Sequence, residues 1–176
     1  YIDPRFHEAA TGRPAVNLDV WAMGEAGVAA LAAEAARGAD LLLVEGVMGL
    51  FDGAAGGGGS TADLARALGL PVVLVVDAAR QSGSVAALVH GFATFDPGID
   101  VAGAILTRVA SDRHEALLRA AMETGRVPLL GVERDDPDLA LASRHLGLVQ
   151  AREVEGLRAL LDRAADTRAA RTDPTA

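Results

Sequence analysis

Short, almost wholly apolar runs recur along this chain at intervals of about thirty residues, at positions 41–44, 71–76, 101–106 and 127–130. A strand half-exposed to water alternates apolar and polar residues, whereas an uninterrupted apolar strand needs cover on both faces. Parallel strands joined by helical crossovers supply that cover. Helices are expected between the runs, at 25–37, 62–68, 84–95 and 113–123, each ending near Gly or Pro. The spacing predicts βαβ units and a doubly wound α/β architecture around a mainly parallel sheet. A last helix is expected over 154–165, with Leu157, Leu160 and Leu161 on one face. Residues 166–176 lack large apolar side chains and read as a disordered tail or a linker.

With 176 residues and 51 % hydrophobic content the chain can bury a core as one domain, and with only 3 % aromatics Ala, Val and Leu must fill it. A net charge of −8 argues against nucleic acid as a partner, because binders of phosphate backbones concentrate positive charge. All sixteen cationic residues are arginine. The phosphate-binding lysine of a GxxxxGK[ST] loop is therefore absent from these residues, and with no cysteine there is no thiol nucleophile. No apolar run reaches eighteen residues and no basic, apolar leader is present, so a soluble cytoplasmic protein without a membrane partner is expected. The chain opens on Tyr1 within YIDPRFH, as expected of a piece cut from something longer.

The stretch VEGVMGLFDG places two carboxylates, Glu45 and Asp52, and three glycines just beyond the first apolar run. Open α/β sheets bind ligands at the carboxyl ends of their strands. A carboxylate there needs a cationic partner, Mg²⁺ or an arginine. The plainer alternative is that Glu45 caps a neighbouring helix and Asp52 makes a turn with Gly53. Next comes Gly56-Gly57-Gly58-Gly59-Ser60-Thr61-Ala62-Asp63. Ser60 or Thr61 as N-cap and Asp63 in the first turn would start a helix whose free amides attract anions, unless the glycines are simply a flexible linker. Asp77, at the end of the second run, reads as an acid behind the site or as a helix cap.

Taken in order, YIDP, NLD at residues 17–19, VEGVMGLFDG, GSTADLA, VVDA at residues 75–78, SDRHEALL and SRHLGLV resemble the cobyrinic acid a,c-diamide synthase family with its hydrogenobyrinic acid relatives. The likeness covers residues 1 to about 155, leaving 156–176 as a helix end and linker. Its members are ATP-dependent glutamine amidotransferases that amidate the a and c acetates of the corrin ring in cobalamin biosynthesis. The resemblance implies a P-loop NTPase fold of dethiobiotin-synthetase type, using ATP and Mg²⁺ to turn a substrate carboxylate into an acyl phosphate. A glutaminase domain then supplies ammonia, and a homodimer is compatible with the family.

Carried over position by position, the likeness makes Glu45 the metal ligand. Asp52 and Asp3 become the acids of the catalytic site. Tyr1 and Ile2 would line the corrin pocket, and Ser60 and Thr61 would meet the substrate carboxylate or the transferring phosphoryl group. In SRHLGLV, Arg144 beside His145 would meet an acetate, the alternative being a solvated arginine. The family's LNRV, whose Asn reads adenine, is here Leu106-Thr107-Arg108-Val109; Thr107 keeps a hydroxyl but loses the paired amide. The family's phosphate loop lies upstream of YIDP, so the first strand of the fold, that loop and the glutaminase with its cysteine are not expected in these residues. Cobyric acid synthase, a dethiobiotin-synthetase-like ligase and a non-catalytic corrin-binding module are the competing readings.

Overall fold

Pro4 stands in the first turn of a helix, α1 (Asp3–Thr11), where its missing N–H is no loss, and left-handed Gly12 ends it. The computed structural model describes residues 2–139 and 149–169. They belong to two compact units, Tyr1–Leu70 with Ser143–Glu155, and Pro71–Ala142 with Gly156–Ala176.

In the first unit Asp19 caps α2 (Val20–Ala35), its carboxylate accepting from the Ala22 amide at 3.1 Å. Gly24, at φ 67° and ψ 167°, breaks the coil after one turn, so regular helix resumes at Glu25, where the periodicity predicted its start. α2 packs against α3 (Thr61–Leu68). The buried positions, Val28 and Ala32 on α2, Ala62 and Ala65 on α3, are mostly alanine, which lets the helices come close.

The strand expected at 41–44 does not form. Its backbone joins no ladder among the described residues, and Leu41 and Leu43 are 77 % and 83 % exposed. An apolar run is only a candidate strand; its N–H and C=O groups need a neighbouring strand before the ladder exists.

The second unit holds a parallel sheet in the order β1-β2-β3, built from β1 (Val72–Asp77), β2 (Val101–Val109) and β3 (Leu129–Arg134). The crossovers are α4 (Ser84–Phe95) and α5 (Asp112–Met122). β3 starts two residues later than predicted because Pro128 has no N–H to donate; it only accepts, from the Ala104 amide at 2.9 Å. β2 runs past the predicted 106, with a register shift between Leu106 and Val109. Leu106, Leu118, Val85, Val89, Val109 and Val132 are almost fully buried and form the core. One face of β1 stays open, with Val73 44 % and Val75 68 % exposed.

Gly156, at φ 68°, holds the chain out of helix, so α6 (Leu157–Ala169) begins three residues after the predicted start. Positions 166–169 continue that helix instead of opening the expected tail. No helix among the described residues is long and apolar enough to cross a membrane.

Replacing Leu106 by Ala should cost about 2–5 kcal/mol of stability in urea unfolding, the range for emptying a closed core site. Val75→Ala, on the open face, should stay within about 0.5 kcal/mol.

Candidate functional site

The segment after residue 44 turns toward α1 and toward the start of α3. His7 Nε2, on α1, donates to Glu45 Oε2 at 2.6 Å, with both side chains about half exposed. Glu45 therefore caps no helix. Its other oxygen has no protein partner among the described residues. The next residue, Gly46, lies so close to α3 that a β-carbon on it would stand 2.6 Å from Thr61 Cγ2. Thr61 Oγ1 in turn points to the Val47 carbonyl at 3.5 Å, the long limit of a hydrogen bond.

The glycine cluster is a hydrogen-bonded loop, not a loose linker. The Ala54 amide donates to Gly58 O at 2.9 Å, the Gly57 amide to Ala54 O at 2.8 Å, and Gly57, Gly58 and Gly59 all take positive φ. A β-carbon on Gly53 would lie 2.6 Å from the Gly58 carbonyl oxygen, and one on Gly59 would lie 3.1 Å from Trp21 Cβ.

At the end of that loop Ser60 and Asp63 form a capping box. The Asp63 amide donates to Ser60 Oγ at 3.1 Å, while the Ser60 amide and hydroxyl both donate to Asp63 Oδ2 at 3.0 and 2.8 Å. The Ala62 amide is bound to Leu50 O. The start of α3 is thus largely satisfied internally, which corrects the expectation of free amides waiting for an anion. Buried Ser60 is a cap, and Thr61 is the residue left facing the 46–47 segment. The Ser60 hydroxyl and amide, then Arg66, hold the Asp63 carboxyl below its ordinary value.

Asp52 folds back on its own turn: its Oδ2 accepts from the Gly49 amide and its amide donates to Gly49 O, both at 3.0 Å. This is the turn expected as the plainer alternative, with Gly49 in place of Gly53. Asp3 is exposed in the first turn of α1, four residues before His7 and hence on the same helix face. Ile2 is half-buried at the N-terminus of α1. Tyr1, Arg144 and His145 lie outside the described residues.

Thr107 belongs to the second unit. Its hydroxyl donates to the Val76 carbonyl at 3.3 Å, and its carbonyl accepts from the Ala78 amide at 3.0 Å. Asp77 caps no helix either. It accepts from the Ala79 amide at 2.9 Å and pairs with Arg108 Nη1 at 2.8 Å, and these two contacts, the amide first, pull its carboxyl below the ordinary value. Arg108 makes this pair from a left-handed backbone, φ 58°, unusual for a side chain of its size.

Three residues of this picture, His7, Trp21 and Arg108, are absent from the expected site. The helix that sets His7 four residues beyond Asp3 was itself not expected from the sequence. The Mg²⁺ implied by the resemblance fits the donors present in a limited way. Glu45 offers a hard carboxylate oxygen open to solvent. No group of three or more His, Cys, Asp or Glu gathers into a cage among the described residues. A Mg²⁺ held by Glu45 would have to keep most of its waters or take its further ligands from substrate phosphates.

Ser60→Ala should lower stability by roughly 0.5–2 kcal/mol, the usual range for a lost N-cap. Asp63 adds a pH signature. Its carboxyl is depressed in the folded state, so its contribution is present above the unfolded value, about 3.9, and is lost as the pH falls through the folded one. The stability gap between wild type and Asp63→Asn, measured by urea unfolding, should be widest near neutrality and close in acid.

Residues 14–140 match the family described as AAA domain. The chain is 56 % identical over 168 residues to hydrogenobyrinate a,c-diamide synthase of Brucella anthropi, covering 95 % of this chain and 38 % of that protein. The synthase of Brucella suis is 55 % identical over 174 residues, with 98 % and 40 % covered. That of Streptomyces coelicolor is 56 % identical over 155 residues, with 87 % and 32 % covered. No solved structure matches the chain. It therefore spans some two fifths of the length of the relatives named hydrogenobyrinate a,c-diamide synthase. With a parallel α/β sheet and a match over most of its length, the chain belongs to the AAA domain family.

Proposed function

We propose that this chain is the central part of the synthetase portion of a cytoplasmic hydrogenobyrinate a,c-diamide synthase. The carrying observation is that identity of 55–56 % to proteins of that name runs through the whole stretch that brings Glu45, Gly46 and Thr61 together. In this reading a carboxylate oxygen of the corrin's acetate attacks the γ-phosphorus of ATP and ADP leaves. Ammonia, released from glutamine by a glutaminase domain, then attacks the acyl carbon of the acyl phosphate, and phosphate departs. Both steps bring anions together, so charge neutralisation dominates the barrier.

Glu45, through the oxygen His7 leaves free, would hold Mg²⁺, which when bound supplies neutralising charge on the phosphates. Thr61 would donate its hydroxyl to the reacting oxygens, and Asp52 and Asp3 would orient the substrate. Ile2 and Tyr1 would border the macrocycle, Arg144 would meet a second acetate, and Thr107 would face the nucleotide base. A homodimer is compatible with this assignment.

In the full-length protein Glu45→Gln should lower ATP-dependent amide formation by about two orders of magnitude, the scale of losing one electrostatic contact to the transition state. Wild-type turnover with unchanged Mg²⁺ dependence would remove Glu45 from the metal site. These 176 residues contain no lysine to reach the phosphates. Calorimetric titration of this chain by itself with Mg-ATP should show nothing tighter than about millimolar. A micromolar dissociation constant would require a nucleotide site other than the one assigned here.

A further inference from the structure

Glu45 belongs to a stretch of backbone that joins no ladder among the described residues, so no secondary structure orients its side chain. It is held at two other points. Gly46, the next residue, lies so close to α3 that a β-carbon there would stand 2.6 Å from Thr61 Cγ2, which leaves the backbone at the root of the side chain little room. At the far end of that side chain His7 Nε2, 38 positions away in sequence, donates to Oε2 at 2.6 Å. His7 rides on α1, a helix closed by left-handed Gly12, whose amide is bonded to the Glu8 carbonyl at 2.9 Å.

A pair this exposed, 45 % for the histidine and 55 % for the glutamate, adds little to the stability of a fold, because both groups keep much of their hydration. Its effect falls on the carboxylate. A free glutamate on an irregular segment samples several rotamers and presents either oxygen or both, whereas one bound to a donor on a helix presents a single oxygen. Here that oxygen is Oε1, which has no protein partner among the described residues. A cation taking both oxygens would have to share Oε2 with the positive end of the His7 N–H bond. A cation taking Oε1 alone meets no such competitor. Ca²⁺ accepts carboxylates through one oxygen or two in a flexible shell, whereas the smaller Mg²⁺ demands near-octahedral geometry, into which the narrow bite of a two-oxygen carboxylate fits poorly.

We propose that His7 is a positioning residue for Glu45: by engaging Oε2 it presents Oε1 alone and so favours Mg²⁺ over Ca²⁺. This rests on the reading of Glu45 as the metal ligand of a synthase, and adds the residue that sets how the metal is held and which metal is preferred. Removing the hydrogen-bond partner of a metal-ligating side chain typically weakens the metal about 10–100-fold. The side-chain amide of a glutamine can donate in place of the imidazole, so His7→Gln should restore much of what His7→Ala loses.

The test uses the full-length protein in excess over a non-hydrolysable ATP analogue, as wild type, His7→Ala, His7→Gln and Glu45→Gln. Mn²⁺ serves as the probe, since it suits the same carboxylate and water ligands in octahedral sites and its free form is counted by paramagnetic resonance. Ca²⁺ is added in competition, and each protein is melted. The Mn²⁺ dissociation constant should rise about tenfold or more in His7→Ala and lie within about threefold of wild type in His7→Gln. The ratio of the Ca²⁺ to the Mn²⁺ dissociation constant should fall severalfold in His7→Ala, with melting temperatures unchanged. Wild-type Mn²⁺ affinity in His7→Ala overturns the proposal while leaving Glu45 in the metal site, and so does weaker Mn²⁺ binding with an unchanged ratio. A lowered melting temperature in His7→Ala that glutamine does not rescue also overturns it, by making the bond a prop of the fold. Wild-type Mn²⁺ affinity in Glu45→Gln overturns the metal-ligand reading and the proposal with it.

Discussion

The capping box at the start of α3 is the tie on which the first unit depends. Ser60 is buried, and its hydroxyl serves as acceptor for the Asp63 amide and as donor to the Asp63 carboxylate. This fixes the direction in which the chain enters the helix. The glycine loop must then close upstream of a fixed point, which it does through the reciprocal bonds of Ala54 with Gly57 and Gly58. With the loop and helix start set, Thr61 lies against Gly46 and Gly59 against Trp21, and Glu45 reaches His7. The first two of these contacts each use a missing side chain, so the site is shaped by small residues and populated by the few large ones beside them.

The second unit follows a different rule. Its sheet is central-strand dominated, with β2 bonded on both sides and nearly every inward residue buried. Charged groups collect at the last residues of its strands and the first turn of α5: Asp77 with Arg108, and Arg134 with Glu115 and Asp112. Glu115 and Arg134 each favour the other's charged form, lowering one carboxyl and raising one guanidinium. These pairs are at least partly solvated, so their effect is to fix where loops leave the sheet more than to stabilise it.

What was legible in the sequence was what is local. α4 occupies 84–95 as predicted, because an apolar helical stretch there is bounded by Gly83 and by Asp96-Pro97. α1 escaped notice because DPRFHEAAT has no apolar stripe to announce a helix. The failed strand at 41–44 shows the reverse error: composition marked it, but pairing is a property of neighbours. In the site, Glu45 and Thr61 could be named from motif and resemblance, whereas the link from His7 to Glu45 spans 38 positions and no pattern in either segment foretells it. The glycines were legible as glycines; that three of them mark close packing against Thr61, Gly58 and Trp21 was visible only once the chain was folded.

β1 carries one more consequence. Among the described residues it is bonded on one side only, to β2, and turns Val73 and Val75 outward. A free strand edge beside open valines is a template for another strand, and here it is six residues long, preceded by Pro71 and closed by a charged Asp77. Proline and an acid at the two ends are the features that discourage edge-to-edge pairing. The middle of the edge has no such guard. Where this edge is uncovered, the two outward valines between those guarded ends are the part of β1 on which another extended chain could settle.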